Sequence, residues 1–304
     1  MIKNFKVKKT EEAIRLDKWL KKNFSSLKQS FIEKNIRKKN ILVNKLKKTS
    51  SYKLIYQDEI TILNFDQEKY RHFPPIIKLH IIPNKLQELF KSSIVYENNN
   101  FIILNKWTGI ATQGGSKINV SIDHIIKNIS PNYNLVHRLD RETSGLLIIA
   151  KNLEYTKIFG HMFKYQEIEK KYLALCQGKP KNSESIVDLD IKDKKKDNLK
   201  HKTKTYYKVL NVKNNLSQIL FVPKTGKTHQ LRIVSKKLGC PIIGDAKYNT
   251  RQRFKNEKLK LNAHLLRFKI KRKIYEFSSI LPIHFQDFVK KNHLPLIRLK
   301  DIRL

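Results

Sequence analysis

Asp140 stands in the run His137-Arg138-Leu139-Asp140-Arg141-Glu142-Thr143-Ser144-Gly145, a dense polar stretch between the apolar pair Leu135-Val136 and the apolar run Leu146 to Ala150. A carboxylate hemmed by Arg138 and Arg141 can be a reactive group presented on a polar turn between buried strands, or half of a surface ion pair. The stretch alone leaves both readings open. Thr143, Ser144 and Gly145 supply the turn chemistry that lets a backbone reverse. His137, Asp140 and Ser144 are the residue types of a hydrolytic triad, but Ser144 lies in T-S-G and not in a G-x-S-x-G elbow. Gly226-Lys227-Thr228 invites a phosphate-loop reading and fails on spacing, because that motif's first glycine would fall at Phe221. With no H-E-x-x-H, paired acidic cluster or dinucleotide fingerprint, we expect neither a metal nor a cofactor. Cys176 and Cys240 lie far apart in sequence without Cys or His at ligand spacing, which argues against a disulfide framework and a zinc site. A reducing cytoplasm fits.

The elements that would position these groups follow from patterning. The chain of 304 residues has a 40% hydrophobic content, enough for a core, and a formal net charge of +38 that points to a polyanionic partner. Lys greatly outnumbers Arg, and Asn and Ile are abundant, so codon bias accounts for part of that charge. Clustering survives the discount: Lys18 to Lys53 holds twelve basic residues and one acidic residue, Glu33. No apolar run reaches the length of a membrane span, and Met1 to Thr10 lacks the core of a secretory signal. We expect a soluble, cytoplasmic monomer.

Residues 13–63 are expected to form a small domain. Ile14, Leu16, Trp19, Leu20 and Phe24 recur at helical spacing, as do Phe31, Ile32 and Ile36, and short strands follow at Ile41 to Asn44 and Asp58 to Ile62. Residues 64–92, with Pro74-Pro75 and Pro83, are expected to be a linker. Residues 93–289 form the larger unit, and 290–304 a C-terminal tail. A hairpin is expected at Ile94 to Leu104, then helices from the N-cap Ser121 to Ile129 and from Leu153 to Tyr165, and a strand at Tyr172 to Leu175. The basic run Lys192 to Lys204 is expected to be an exposed loop or irregular hairpin. Paired strands follow at Tyr206 to Leu210 and Ser217 to Val222, then a helix from Thr228 to Leu238 closed by Gly239, and strands at Ala263 to Ile270 and Ile274 to Ile280. The sum is an α+β fold: a helix-helix-strand domain followed by a mainly antiparallel mixed-sheet domain.

Five ordered motifs then carry a resemblance. H-R-L-D-x-x-T-S-G-L-L at His137 to Leu147, K-K-Y-L-A-L at Lys170 to Leu175, G-K-T-H-Q-L-R at Gly226 to Arg232, G-D-x-x-Y at Gly244 to Tyr248 and A-H-L-L-R-F at Ala263 to Phe268 resemble the RluA superfamily of pseudouridine synthases. I-L-N-K-W-T-G-I-A-T-Q-G-G-S at Ile103 to Ser116 is most similar to the RluC branch, which modifies large-subunit ribosomal RNA; Trp107 and Gln113 stand where the family usually has Pro and often His. R-L-D-K-W-L at Arg15 to Leu20, I-L-V-N at Ile41 to Asn44 and D-E-I at Asp58 to Ile60 resemble the S-four RNA-binding domain, with Asn40 and Gln57 where that module usually carries Gly.

The resemblance implies roles. Asp140 is the catalytic carboxylate, attacking either the ribose or the uracil ring and later leaving. Arg232 pairs with it and favours its ionised form. Tyr172 stacks on the base and assists proton transfer at C5, and Arg138 is a wedge for the space left by a flipped nucleotide. His137 is read as a hydrogen-bonded core histidine. Arg15, Lys38, Lys39, Lys47 and Lys48 are the expected RNA contacts of the small domain. The expected partner is large-subunit ribosomal RNA or its assembly intermediate. The competing readings are a synthase acting on transfer RNA and a non-catalytic RNA-binding or ribosome-assembly factor; the basic small domain speaks against the first, and intact Asp140, Tyr172 and Arg232 against the second.

Overall fold

The computed structural model describes residues 1–71, 81–115, 118–192 and 200–302, and the chain divides into two compact units, Met1–Lys78 and Leu79–Leu304. Pro74-Pro75, Ser116 and positions 193–199 of the basic run lie outside the described residues.

In the first unit β1 (Lys3–Lys6), α1 (Leu16–Asn23), α2 (Gln29–Arg37), β2 (Ile41–Val43) and β3 (Glu59–Ile62) follow in order, and β3 is the central strand of an antiparallel sheet. Leu16, Trp19, Leu20, Ile32 and Ile36 face the same core as Ile41, Val43, Ile60 and Ile62, as helical and strand periodicity require. The strand at Lys3–Lys6 escapes sequence reading because Phe5 is its one apolar residue; that ring packs edge-on against Phe24 at 5.3 Å and Trp19 at 5.9 Å. Phe65 and Tyr70, stacked at 4.9 Å, complete this core from the stretch expected to be linker.

Helix α2 ends in a Schellman motif, with the Asn40 N–H donating to the Asn35 carbonyl at 2.9 Å and the Lys39 N–H to the Ile36 carbonyl at 3.1 Å. The left-handed residue is therefore Lys39 (φ 61) and not Asn40. Gln57 is also left-handed (φ 70), so both sites carry a Cβ where glycine is relaxed, at roughly 1–2 kcal/mol each.

The second unit begins with α3 (Asn84–Ser92), which falls within the expected linker, and continues through β4 (Ile94–Glu97), β5 (Phe101–Lys106), α4 (Ile122–Ile129), β6 (Asn134–Leu135), β7 (Ser144–Ala150) and α5 (Leu153–Lys164). Then come β8 (Glu169–Gln177), β9 (Glu184–Lys192), β10 (Lys200–Lys213), β11 (Leu216–Pro223), α6 (Gln230–Lys237), β12 (Leu261–Ile270), β13 (Lys273–Ser278), α7 (Ile283–Lys291) and α8 (Leu299–Ile302). All ten strands join one sheet in the order β4-β5-β7-β12-β8-β11-β10-β9, with β13 paired to β12 and β6 to β7. Every pairing is antiparallel except β7 with β12. The α+β class with a mainly antiparallel mixed sheet is thus what the chain forms.

Alternation explains why the central strands are apolar throughout. Ile102, Leu104, Leu147 and Ile149 pack on one face of β5 and β7, and Phe101, Ile103, Leu146 and Ile148 on the other. Helix α4 is capped as expected, the Ser121 hydroxyl accepting from the His124 N–H at 3.2 Å. Of the basic run, Lys192 ends β9 and Lys200 to Lys204 open β10, and the two strands pair antiparallel, so of the two expected forms it is the hairpin, with Lys202 and Lys204 opposite Asp190 and Asp188. Cross-strand charge pairing lets a lysine-rich segment extend as a strand. Among the described residues no helix is long and apolar enough to cross a membrane.

Candidate active site

Asp140 sits in the loop between β6 and β7, and the backbone on either side of it is pinned. Thr112 Oγ1 donates to the Leu139 carbonyl at 2.7 Å and accepts the Leu139 N–H at 3.1 Å. Lys106, fully buried, donates to the carbonyls of Trp107, Ile110 and Arg141 at 3.0, 3.1 and 3.2 Å, and the Gly109 N–H reaches the Arg141 carbonyl at 3.0 Å. Burial pushes the Lys106 amine down to about 7, against the charges of Glu142 and Asp140, which raise it. The stretch Ile103 to Thr112 is therefore the brace of the loop. Behind Asp140, the Asn262 amide donates to Ser144 Oγ at 2.9 Å, joining the start of β7 to β12.

The Asp140 carboxylate is 23% exposed, and its Oδ2 lies 3.9 Å from Arg232 Nη1 and 3.9 Å from His229 Nε2. Arg232 is thus brought to Asp140 as expected, but its hydrogen bonds go elsewhere: Nε and Nη2 bind both oxygens of the buried Asp245 at 2.7 Å. Tyr248 lies against the same guanidinium at 5.2 Å, and its hydroxyl is 3.1 Å from His229 Nδ1. His229, left-handed at φ 57, caps α6 one turn before Arg232. Sequence reading gave no role to His229, Asp245 or Tyr248. The signal was present, since His229 belongs to Gly226–Arg232 and the other two to Gly244–Tyr248, but nothing local said that the second motif holds the first.

Tyr172 projects from β8 into the same cavity of about 420 Å³, walled on the other sides by Arg138, Asp140, Lys224 and Arg232. Burial, then the charge of Asp140, pushes the Tyr172 hydroxyl well above the usual tyrosine range, so it is a neutral phenol at physiological pH. Arg138 is exposed on the cavity wall, whereas Arg141 donates to the Gly109 carbonyl at 3.1 Å and contacts Glu142 at 3.2 Å. His137, half-buried on the cavity wall, accepts the Ile148 N–H on Nε2 at 2.8 Å and stacks on Phe163 at 4.6 Å; burial, then the charge of Lys170, pushes it down to about 3.

Of the small-unit residues, Arg15 is paired with Asp17 at 2.8 Å, Lys38, Lys39 and Lys47 are exposed, and the half-buried Lys48 lies 5.1 Å from the Tyr52 ring.

A stability consequence follows from the depressed histidines His264 and His137. His264, hydrogen-bonded to Ser279 Oγ at 3.0 Å, is pushed by burial from 6.5 down to about 4. Between those values the unfolded chain binds the proton and the folded one does not, so the contribution is complete above pH 6.5 and lost as pH falls toward 4. At pH 5 the loss is about 2 kcal/mol for His264, with His137 acting in the same direction. The urea midpoint of the second unit is expected to drop between pH 7.5 and 5, above the range of most carboxylates; an unchanged midpoint would refute this.

One carboxylate facing cations in a cavity of nucleotide size suits an enzyme that acts on a nucleic acid. Comparison makes the class definite. The family model described as RNA pseudouridylate synthase matches residues 100–237. The ribosomal large subunit pseudouridine synthase C of Rickettsia bellii is 40% identical over 259 residues, 78% of this chain and 83% of that one. Its namesake from Rickettsia felis is 38% identical over 295 residues, 90% and 95% of the two chains. The solved structure of human RNA pseudouridylate synthase domain containing 4 shares the fold, with a TM-score of 0.63 at 22% identity over 71% of this chain and 98% of that one. The chain belongs to the RNA pseudouridylate synthase family and is an RNA pseudouridine synthase.

Proposed function

We propose that this enzyme isomerises specific uridines of large-subunit ribosomal RNA, free or in an assembly intermediate, with Asp140 as the nucleophile. The observation that carries the reading is Asp140 itself: it is the one carboxylate among the described residues of the cavity wall, braced on both sides and faced by Arg232 and His229. The relatives that share 38–40% of this sequence over most of their length bear names that specify the large ribosomal subunit.

In the reaction the C1′–N1 bond breaks, the uracil turns, and a C1′–C5 bond forms. The proton lost from C5 is balanced by one gained at N1, so the change is an isomerisation. Asp140 adds to the ribose or the ring and departs in the second half. Arg232, locked by Asp245, faces the carboxylate without swinging onto it. Tyr172 offers its ring to the base. Flipping the nucleotide costs a few kcal/mol in lost stacking, which the Arg138 guanidinium offsets in part by occupying the vacated place.

The test uses unmodified ribosomal RNA carrying tritium at uracil C5. Wild type is expected to release label in proportion to pseudouridine formed, and Asp140→Asn to release none while retaining the fold. Retained label with wild type, or release by Asp140→Asn, would overturn the assignment.

In the small unit, Arg15, Lys38, Lys39, Lys47 and Lys48 serve as an anchor on the RNA backbone. Changing Lys38, Lys39, Lys47 and Lys48 together to Gln is expected to weaken RNA binding and to reduce its salt slope by roughly three, at about 0.7–0.9 per phosphate contact. A wild-type slope in this variant would make the patch ordinary solvated surface.

A further inference from the structure

Lys170 and Lys171 precede Tyr172 on β8, and strand alternation sends them to opposite faces. Lys171 is buried in the core, its ammonium donating to the Ile302 carbonyl at 2.8 Å and pairing with Glu169 at 3.0 Å. Lys170 shares the face of Tyr172 and lines the same cavity. Its ammonium lies 5.8 Å from the Phe163 ring, and among the described residues it has no carboxylate partner. Lys224, which follows β11, stands in the same wall, also without an ion pair among the described residues. Burial, then the charge of Lys224, pushes the Lys170 amine below the usual lysine range.

The charge balance of the cavity wall is one-sided. Arg138, Lys164, Lys170, Lys224, Lys227 and Arg232 are cationic, and Asp140 is the sole carboxylate among the described residues. Asp140 is already faced by Arg232 and His229, and Arg232 is neutralised by Asp245. Because β8 and β11 run antiparallel with Tyr172 opposite Phe221, Lys170 and Lys224 stand at neighbouring strand ends on this wall, and both are unmatched. A half-buried ammonium beside a second one destabilises a protein unless an anion joins them. In an enzyme whose substrate is RNA, the anion at hand is the phosphodiester.

We propose that Lys170 and Lys224 form a phosphodiester site, which grips the RNA backbone beside the flipped uridine. The inference rests on the reading of this chain as an RNA uridine isomerase and adds a residue pair to it. Because Lys170 lies two residues before Tyr172 on one rigid strand, a phosphate held there fixes the distance between the backbone and the ring that receives the base. The nucleotide is then registered by its phosphate before the base is engaged, and Asp140 meets the sugar in one orientation.

Phosphate ethylation interference tests this whichever uridine is the target. An unmodified large-subunit ribosomal RNA transcript is sparsely ethylated on its phosphates, mixed with the full-length protein, and split into bound and unbound fractions. The converted uridine is located on the same transcript. Wild type is expected to exclude from the bound fraction those molecules ethylated 5′ or 3′ to that uridine, and which side is affected identifies the phosphate. Lys170→Met and Lys224→Met are expected to lose this one exclusion, to keep the others, and to bind about 10- to 100-fold more weakly. Lys170→Arg is expected to retain it. The wild-type exclusion pattern in both Met variants, or a loss that Lys170→Arg does not restore, would overturn the site. Failure to convert any uridine would count against the catalytic reading alone, because an exclusion that depends on both lysines is still read from binding.

Discussion

Tyr172→Phe is expected to lower turnover by roughly 10²- to 10⁴-fold while RNA affinity and melting temperature stay close to wild type. The backbone of Tyr172 is part of the sheet, opposite Ala263 on β12 and Phe221 on β11, and its ring packs against the apolar core, contacts that need no hydroxyl. Phenylalanine keeps them. It also keeps a flat surface for the uracil, which carries most of the stacking energy. What is lost is one O–H, held neutral by burial and by the negative charge of Asp140. On the proposed reading, a phenol that stays protonated is no standing base, and it takes the C5 proton only in concert with passing its own to water. Removing it takes away that relay and nothing else. Two further results follow. Tyr172→Leu loses the stacking surface as well, so its RNA affinity falls along with turnover. The pH profile of wild type shows no tyrosine limb near pH 10, because the hydroxyl ionises above that range. Wild-type turnover in Tyr172→Phe would leave Tyr172 as a packing residue.

Features that depend on neighbours in sequence were legible in the chain, and features that depend on tertiary contact were not. Ser121 as a helix cap, Gly239 as a helix stop and the apolar runs of β5, β7 and β12 are set within a few residues, and each forms where the local sequence places it. Arg232 was legible as a candidate because it sits in a dense motif. That its hydrogen bonds belong to Asp245 could not be read, since the contact exists only once the turn after Gly244 is folded against α6. Lys106 looked like one more lysine in a lysine-rich chain, yet it is fully buried on three carbonyls. Composition hides such residues, because an abundant residue type attracts no notice where it does something unusual. The same masking explains β1 and the Lys39 cap. Lysines surround Phe5, and the position where the module usually carries Gly is Asn40, whereas the left-handed backbone falls one residue earlier, at Lys39.

Gly145→Ala is expected to destabilise the catalytic unit by roughly 2–6 kcal/mol, a large part of the 5–15 kcal/mol that holds a typical domain together. Gly145 has φ +107, and a Cβ there would stand 2.3 Å from the Ala263 carbonyl oxygen and 2.6 Å from the Ala263 nitrogen. Both are backbone atoms of the neighbouring strand, so no side chain can move aside. The contact is the parallel junction of β7 with β12, where Ala263 lies opposite Gly145 and Asn262 opposite Ser144. Gly109→Ala is the matched control. Its φ of +93 imposes a similar backbone penalty, but nothing lies within 4 Å of its Cβ, so about 1–2 kcal/mol is expected there. The difference between the two variants in urea unfolding isolates the strand clash. Equal midpoints would mean that the junction yields, and that Asp140 is not held by it. If the junction is rigid, the consequence reaches the chemistry, because Asp140 lies five residues before Gly145 on the loop that this pairing anchors. A strand pushed aside by one ångström carries the carboxylate with it, and a displacement of that size costs on the order of 10²-fold in rate even in the molecules that remain folded.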